Sequence, residues 1–123
     1  MQPLRVLVCG ARDYDNADLI NQQLKILLEA YGPFILIEGE AKGADTIARR
    51  WGDRHLPRMN IIPFPAQWSR YGRGAGPIRN LQMLEQGKPD LVLAFGGKKG
   101  TGTNHMVRIA KKAGVIIREY DRD

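Results

Sequence analysis

Leu91-Val92-Leu93-Ala94-Phe95-Gly96-Gly97-Lys98-Lys99-Gly100-Thr101-Gly102-Thr103 is an apolar run, a glycine-rich loop and the approach to a helical pattern, in that order. The run Leu91 to Phe95 does not alternate with polar residues, so it predicts a strand covered on both faces. From Gly96 to Thr103, four glycines, two lysines and two threonines share eight positions. A strand, such a loop and a helix would set backbone N–H groups at the positive end of the helix, where an anion is favoured. A phosphate suits that chemistry. The alternative is an ordinary turn, since Gly and Thr also serve turns and caps.

Working outward, the same unit recurs along the chain. Leu4 to Cys9 predicts strand one, ending at the loop Gly10-Ala11-Arg12-Asp13. Asn16 can cap a helix whose Leu19, Leu24, Leu27 and Leu28 recur at helical spacing, and Gly32-Pro33 ends it. Phe34 to Ile37 predicts strand two, with Gly39 and Lys42-Gly43 in the loop behind it. Ala44, Ile47, Ala48 and Trp51 then fall on one face of a helix, which makes Trp51 a core residue. Asn60 to Pro63 predicts a short third strand, followed by a long loop from Phe64 to Gly76. Loops of that length in compact domains are usually functional, and this one carries Trp68, Arg70 and Tyr71. Pro77 suits a first helical position, with Ile78, Leu81 and Leu84 on one face and Gly87 as a stop. After strand four, a helix from Asn104 to Ala113, stopped by Gly114, leads to strand five at Val115 to Ile117.

Five apolar strands separated by four helices argue for an α/β fold, with a parallel five-stranded sheet flanked by helices in three layers. One domain over residues 1–123 is expected, since 123 residues with 43% hydrophobic content suffice for one core. No stretch approaches the ~18 apolar residues of a membrane span, and no signal-peptide architecture precedes Leu4, so a cytoplasmic protein without membrane partners is expected. The single cysteine, Cys9, agrees with a reducing compartment and reads as a small buried residue. His55 and His105 lie apart with that one cysteine, so no metal site is expected and no cofactor is called for. The net charge of +6 points to an anionic partner without choosing between a nucleotide and a nucleic acid.

In a parallel sheet the four loops leaving the carboxyl ends of the strands should meet in one crevice. They bring Gly10 and Arg12; Gly39, Lys42, Gly43 and Asp45; Trp68, Gly76, Arg79 and Asn80; and Gly96, Gly97, Lys98, Gly100, Thr101 and Thr103. Cations, carboxyl acceptors and an aromatic surface together fit a nucleotide. With its helix starting at Pro77, Arg79 falls in the first turn, where a cation opposes the macrodipole. That points to a bound anion, or to an exposed arginine held at small cost. On this reading Arg79→Ala would lose ligand and leave stability nearly unchanged. The order of residues fits neither the dinucleotide fingerprint nor a P-loop.

Val8-Cys9-Gly10-Ala11-Arg12, Gly39 with Lys42-Gly43-Ala44-Asp45 and Ala48, Trp51, Trp68, Gly74-Ala75-Gly76-Pro77-Ile78-Arg79-Asn80 with Met83, and Ala94-Phe95-Gly96-Gly97 with Gly100-Thr101 resemble the YspA-type branch of the SLOG superfamily. That superfamily groups LOG hydrolases with the DNA-processing protein DprA. The resemblance implies a Rossmann-like domain whose glycine-rich loop holds the phosphate of a nucleotide-derived ligand. Arg79 resembles the arginine that LOG enzymes use to cleave nucleoside monophosphates. Their glutamate has no counterpart, because Gly100-Thr101 is followed by Gly102-Thr103-Asn104-His105. Three functions stay open: a nucleotide sensor or carrier; a nucleotide hydrolase with Arg79, Asp45 and His105 as candidate catalytic residues; and single-stranded nucleic-acid binding similar to DprA. Association of copies through helices, as superfamily members often show, stays open too.

Overall fold

The computed structural model describes residues 2–96 and 102–121. Five strands, β1 (Arg5–Gly10), β2 (Ile35–Glu38), β3 (Ile61–Pro63), β4 (Leu91–Phe95) and β5 (Ile116–Tyr120), form one parallel sheet in the order β3-β2-β1-β4-β5. The longer helices are α1 (Ala17–Tyr31), α2 (Ala44–His55), α4 (Ala75–Glu85) and α5 (Gly102–Lys112), with a single-turn α3 at Trp68–Tyr71.

Alternation along β1 explains the layers. Val6 and Val8 share a core with Ile20, Leu24 and Leu27 of α1 and with Ala48 and Trp51 of α2. Leu7 and Cys9 share the opposite core with Met83 of α4 and with Met106, Val107 and Ala110 of α5. A strand buried on both faces needs apolar residues at every position, which is why β1 and β4 read as continuous runs. Trp51 is 3% exposed and stacks on Phe34 at a ring distance of 5.7 Å. The α/β fold with a parallel five-stranded sheet, expected from the order of elements, is the one observed, and its strand order is Rossmann-like.

Helix ends follow local chemistry. Asn16 Oδ1 accepts the Leu19 N–H at 3.2 Å, so Asn16 caps α1. Gly114, with φ 79°, closes α5, as its N–H reaches the Lys111 carbonyl and that of Val115 reaches the Ala110 carbonyl, each at 3.0 Å.

Several boundaries differ from the sequence reading. The segment from Phe64 to Gly76 is not one loop, because it contains α3 and a 3-10 turn at Gly72–Gly74, and α4 begins at Ala75. Pro77 is therefore the third residue of its helix, where its missing N–H costs no intrahelical bond. Arg79 becomes the fifth residue, past the first turn, and the macrodipole argument for it lapses. α4 stops at Glu85, and Lys88 rather than Gly87 takes the left-handed conformation, with φ 48°. α5 begins at Gly102 instead of Asn104. β5 is longer than its apolar run. As an edge strand it leaves Ile116 67% exposed and tolerates Arg118 and Glu119.

Candidate functional site

β1 and β4 are neighbours, paired from Val6↔Leu91 to Gly10↔Phe95, so they end level. From there the chain leaves β1 toward α1 on one face and β4 toward α5 on the other. Divergent exits at such a switch point open a crevice beyond the carboxyl ends. Here it encloses about 680 Å³.

Two glycines let the first two loops meet at its edge. A Cβ on Gly10 would touch the Ala44 side chain and lie 2.7 Å from the Phe95 carbonyl, so α2 begins directly against the end of β1. Gly43 has φ 81°, and a Cβ there would sit 2.7 Å from the Arg12 carbonyl oxygen. The loop before it also turns through Glu40 at φ 53°. That turn is held by the Glu40 N–H, which donates to Glu38 Oε1 at 2.7 Å.

A polar network along the crevice wall ties the loop after β2 to α2, α4 and α5. The Asp45 carboxylate accepts the Gly39 N–H at 2.7 Å, while Arg79 donates through a terminal nitrogen to the Gly39 carbonyl. Arg79 Nε donates to Asn80 Oδ1 at 2.9 Å. Asn80 Nδ2 in turn reaches the Gly102 carbonyl at 3.0 Å and His105 Nδ1 at 3.1 Å. Asp45, Arg79 and Asn80 are all buried. Burial raises the Asp45 carboxyl to about 6, against the Gly39 N–H and the Arg79 charge, which both lower it. Burial likewise raises Glu38 to about 7, with the Glu40 N–H opposing; Arg49 stands 3.6 Å away. Arg79 and His105 are pushed below their ordinary values by burial, and Arg108 adds to the effect on His105.

At the mouth, the Arg12 guanidinium lies over the Trp68 ring at 5.4 Å from its centroid, and Trp68 is 48% exposed. Such a pair brings a cation and an aromatic surface together, suited to an aromatic ring bearing anionic groups.

Of the residues expected at the site, Gly10, Arg12, Asp45, Trp68, Gly76, Arg79, Asn80, Thr103 and His105 line this one crevice. Gly39 and Gly43 support it from behind through the contacts above. Lys42 is exposed and does not contribute to the wall. Gly96, buried with φ 66°, donates its N–H to the Tyr120 carbonyl at 2.7 Å and so holds β5. Gly97, Lys98, Gly100 and Thr101 lie outside the described residues. The sequence reading missed the apolar floor, made by Cys9, Ala41 and Met83. Burial drives the Cys9 thiol pKa up, which keeps it protonated and inert. Its place at the end of β1 was the available signal for a floor position.

No helix among the described residues is long and apolar enough to cross a membrane. The family model described as "YspA, cpYpsA-related SLOG family" matches residues 4–71, from the start of the sheet through α3. The chain is also similar to the Gene 61 protein of Mycobacterium phage D29, with 34% identity over 118 residues covering 92% of this chain and 93% of that protein. That similarity continues beyond the family match, through the helices that carry Arg79, Asn80 and His105. The family match covers more than half of the sequence, and the chain belongs to the YspA, cpYpsA-related SLOG family.

Proposed function

We propose that this chain is a binding module for a nucleotide or nucleotide-derived ligand, acting as sensor or carrier. The observation that carries the reading is the crevice at the β1/β4 switch point, with a stacking surface and a cation paired at its mouth. The base stacks on Trp68. The phosphate lies toward Arg12 and the N-terminal end of α5, next to the glycine-rich residues 97–101 of the sequence. Helix N-termini and arginine both favour such an anion. Both N–H groups of Asn80 are engaged within the protein, while its oxygen accepts from Arg79 and keeps a second lone pair that a ribose hydroxyl can use. Asp45 and Asn80 are the polar wall residues for sugar hydroxyls.

A second reading, a hydrolase of nucleotides, is favoured by one observation. The Asp45 carboxyl, raised to about 6 in the crevice wall, suits a proton-transfer group working near neutral pH. The LOG-type glutamate remains without a counterpart, so binding without turnover is the primary reading.

The test is a thermal-shift and mass-spectrometry screen against nucleoside mono- and diphosphates, nicotinamide dinucleotides, ADP-ribose derivatives and cyclic nucleotides. A ligand bound by the native state alone raises Tm by mass action. Stabilisation with the compound recovered intact supports the binding module, and stabilisation with a released base supports the hydrolase. Silence across the panel, together with oligonucleotide binding that weakens by a log–log slope of about −0.7 per neutralised phosphate, would transfer the function to single-stranded nucleic acid.

A further inference from the structure

The hydrogen bonds along the crevice wall run in one direction. A guanidinium has donors only, so Arg79 Nε, 2.9 Å from the Asn80 side chain, identifies the amide oxygen as the atom facing it. The amide nitrogen then faces the Gly102 carbonyl at 3.0 Å and His105 Nδ1 at 3.1 Å. An amide NH2 offers two hydrogens and no lone pair, so each of its two partners must accept. The carbonyl does so by nature, and the imidazole can do so only with a lone pair on Nδ1.

We infer that Asn80 is a positioning residue that holds His105 in the tautomer protonated on Nε2, which makes the ring a fixed hydrogen-bond donor at the crevice wall. Protonating Nδ1 would set its N–H against the amide N–H of Asn80. The charge so formed would also meet Arg108 on α5, in the first turn of a helix whose dipole disfavours cations. His105 therefore cannot take a proton at Nε2 without leaving this tautomer, and its role is donation to an acceptor. That acceptor is an oxygen of phosphate, sugar or base, an assignment that rests on the nucleotide reading above. The tautomer itself does not.

The chain has two histidines, so His55→Gln leaves His105 as the sole imidazole signal. In that protein labelled with 15N at histidine, two-bond 1H–15N correlation spectra recorded between pH 8 and pH 5 read the tautomer directly. The expected pattern is Nε2–H alone, with protonation only below the ordinary value of ~6.5. Asn80→Asp puts an acceptor in place of the donor. In that variant the signal should switch to Nδ1–H and the titration should move above ~6.5. An Nδ1–H or averaged pattern with Asn80 present would overturn the inference, even if the variant fails to fold. So would an Asn80→Asp protein whose His105 titrates unchanged. Because no nucleotide is needed, a correct tautomer in a protein that binds no nucleotide would overturn the functional reading alone.

Discussion

Arg79, on α4, donates from its guanidinium to the main-chain carbonyl of Gly39 at the end of β2, forty positions away in sequence. The contact is closed on both sides, since a Cβ on Gly39 would lie 2.8 Å from Arg79 Cζ. Arg79→Ala should therefore cost about 3 kcal/mol, because it strands the Gly39 carbonyl and Asn80 Oδ1 and removes the cation near Asp45. This reverses the expectation that the variant would leave stability nearly unchanged. Urea unfolding checks it, and a midpoint equal to that of the parent would show that Arg79 is free to serve a ligand only.

Gly43→Ala should destabilise by at least about 2 kcal/mol, combining a positive-φ backbone with a Cβ driven into the main chain of Ala11 and Arg12. Gly114→Ala shares the positive φ but meets nothing within 4 Å, so it should cost about 1 kcal/mol. Comparing the two by thermal unfolding separates steric contact from backbone conformation.

The two tryptophans should behave oppositely. Trp68→Ala, at the half-exposed mouth, should change stability by less than about 1 kcal/mol, and on the proposed function it should weaken binding of the nucleotide found in the screen. Trp51→Ala should cost about 3–5 kcal/mol, since the indole fills the core against Phe34. Acrylamide quenching of the two single-tryptophan proteins reports the same contrast: strong for Trp68 and weak for Trp51.

Glu38 carries a folded-state value of about 7, raised above its ordinary 4.5, so the native state holds its proton more tightly than the unfolded chain. The sign follows from linkage: stability from this group is fully present below about pH 4.5 and is lost as pH rises through about 7. Asp45, raised from 3.8 to about 6, acts in the same sense. Glu38→Gln should thus gain stability relative to the parent as pH rises from 5 to 8. A difference in unfolding free energy that stays constant across that window would mean the carboxyl is ionised throughout.

His105 has the opposite sign. Its folded-state value is lowered from 6.5, so the unfolded chain binds the proton more readily, and stability falls as pH drops below about 6.5. His105→Gln should remove that acid-side loss, while His55→Gln should leave it in place. Matched urea titrations at pH 7 and pH 5 decide between them.

The sequence by itself determined the order and kind of the elements. Strands buried on both faces must be apolar throughout, helices must repeat near 3.6, and Asn16, Gly32 and Gly114 mark ends through their own local chemistry. From these the parallel sheet, the loops at its carboxyl ends and most of the crevice lining were legible. Tertiary structure decided the rest. The one-turn α3 and the start of α4 at Ala75 lie in a segment rich in glycine and proline whose local preferences read as loop, and packing set its path. The edge strand β5 was readable at Ile116-Ile117, but its polar continuation through Arg118 and Glu119 escaped a pattern rule written for buried strands. Arg79 was readable as a site residue but not as a buried one. Its partners are the Gly39 carbonyl and the Asn80 side chain, and a main-chain acceptor forty residues away leaves no signature in the residue that supplies it. The directed chain from Arg79 through Asn80 to His105 exists only once α4 and α5 are packed on the same face of the sheet, because hydrogen bonds depend on distances of about 3 Å that no spacing along the chain encodes.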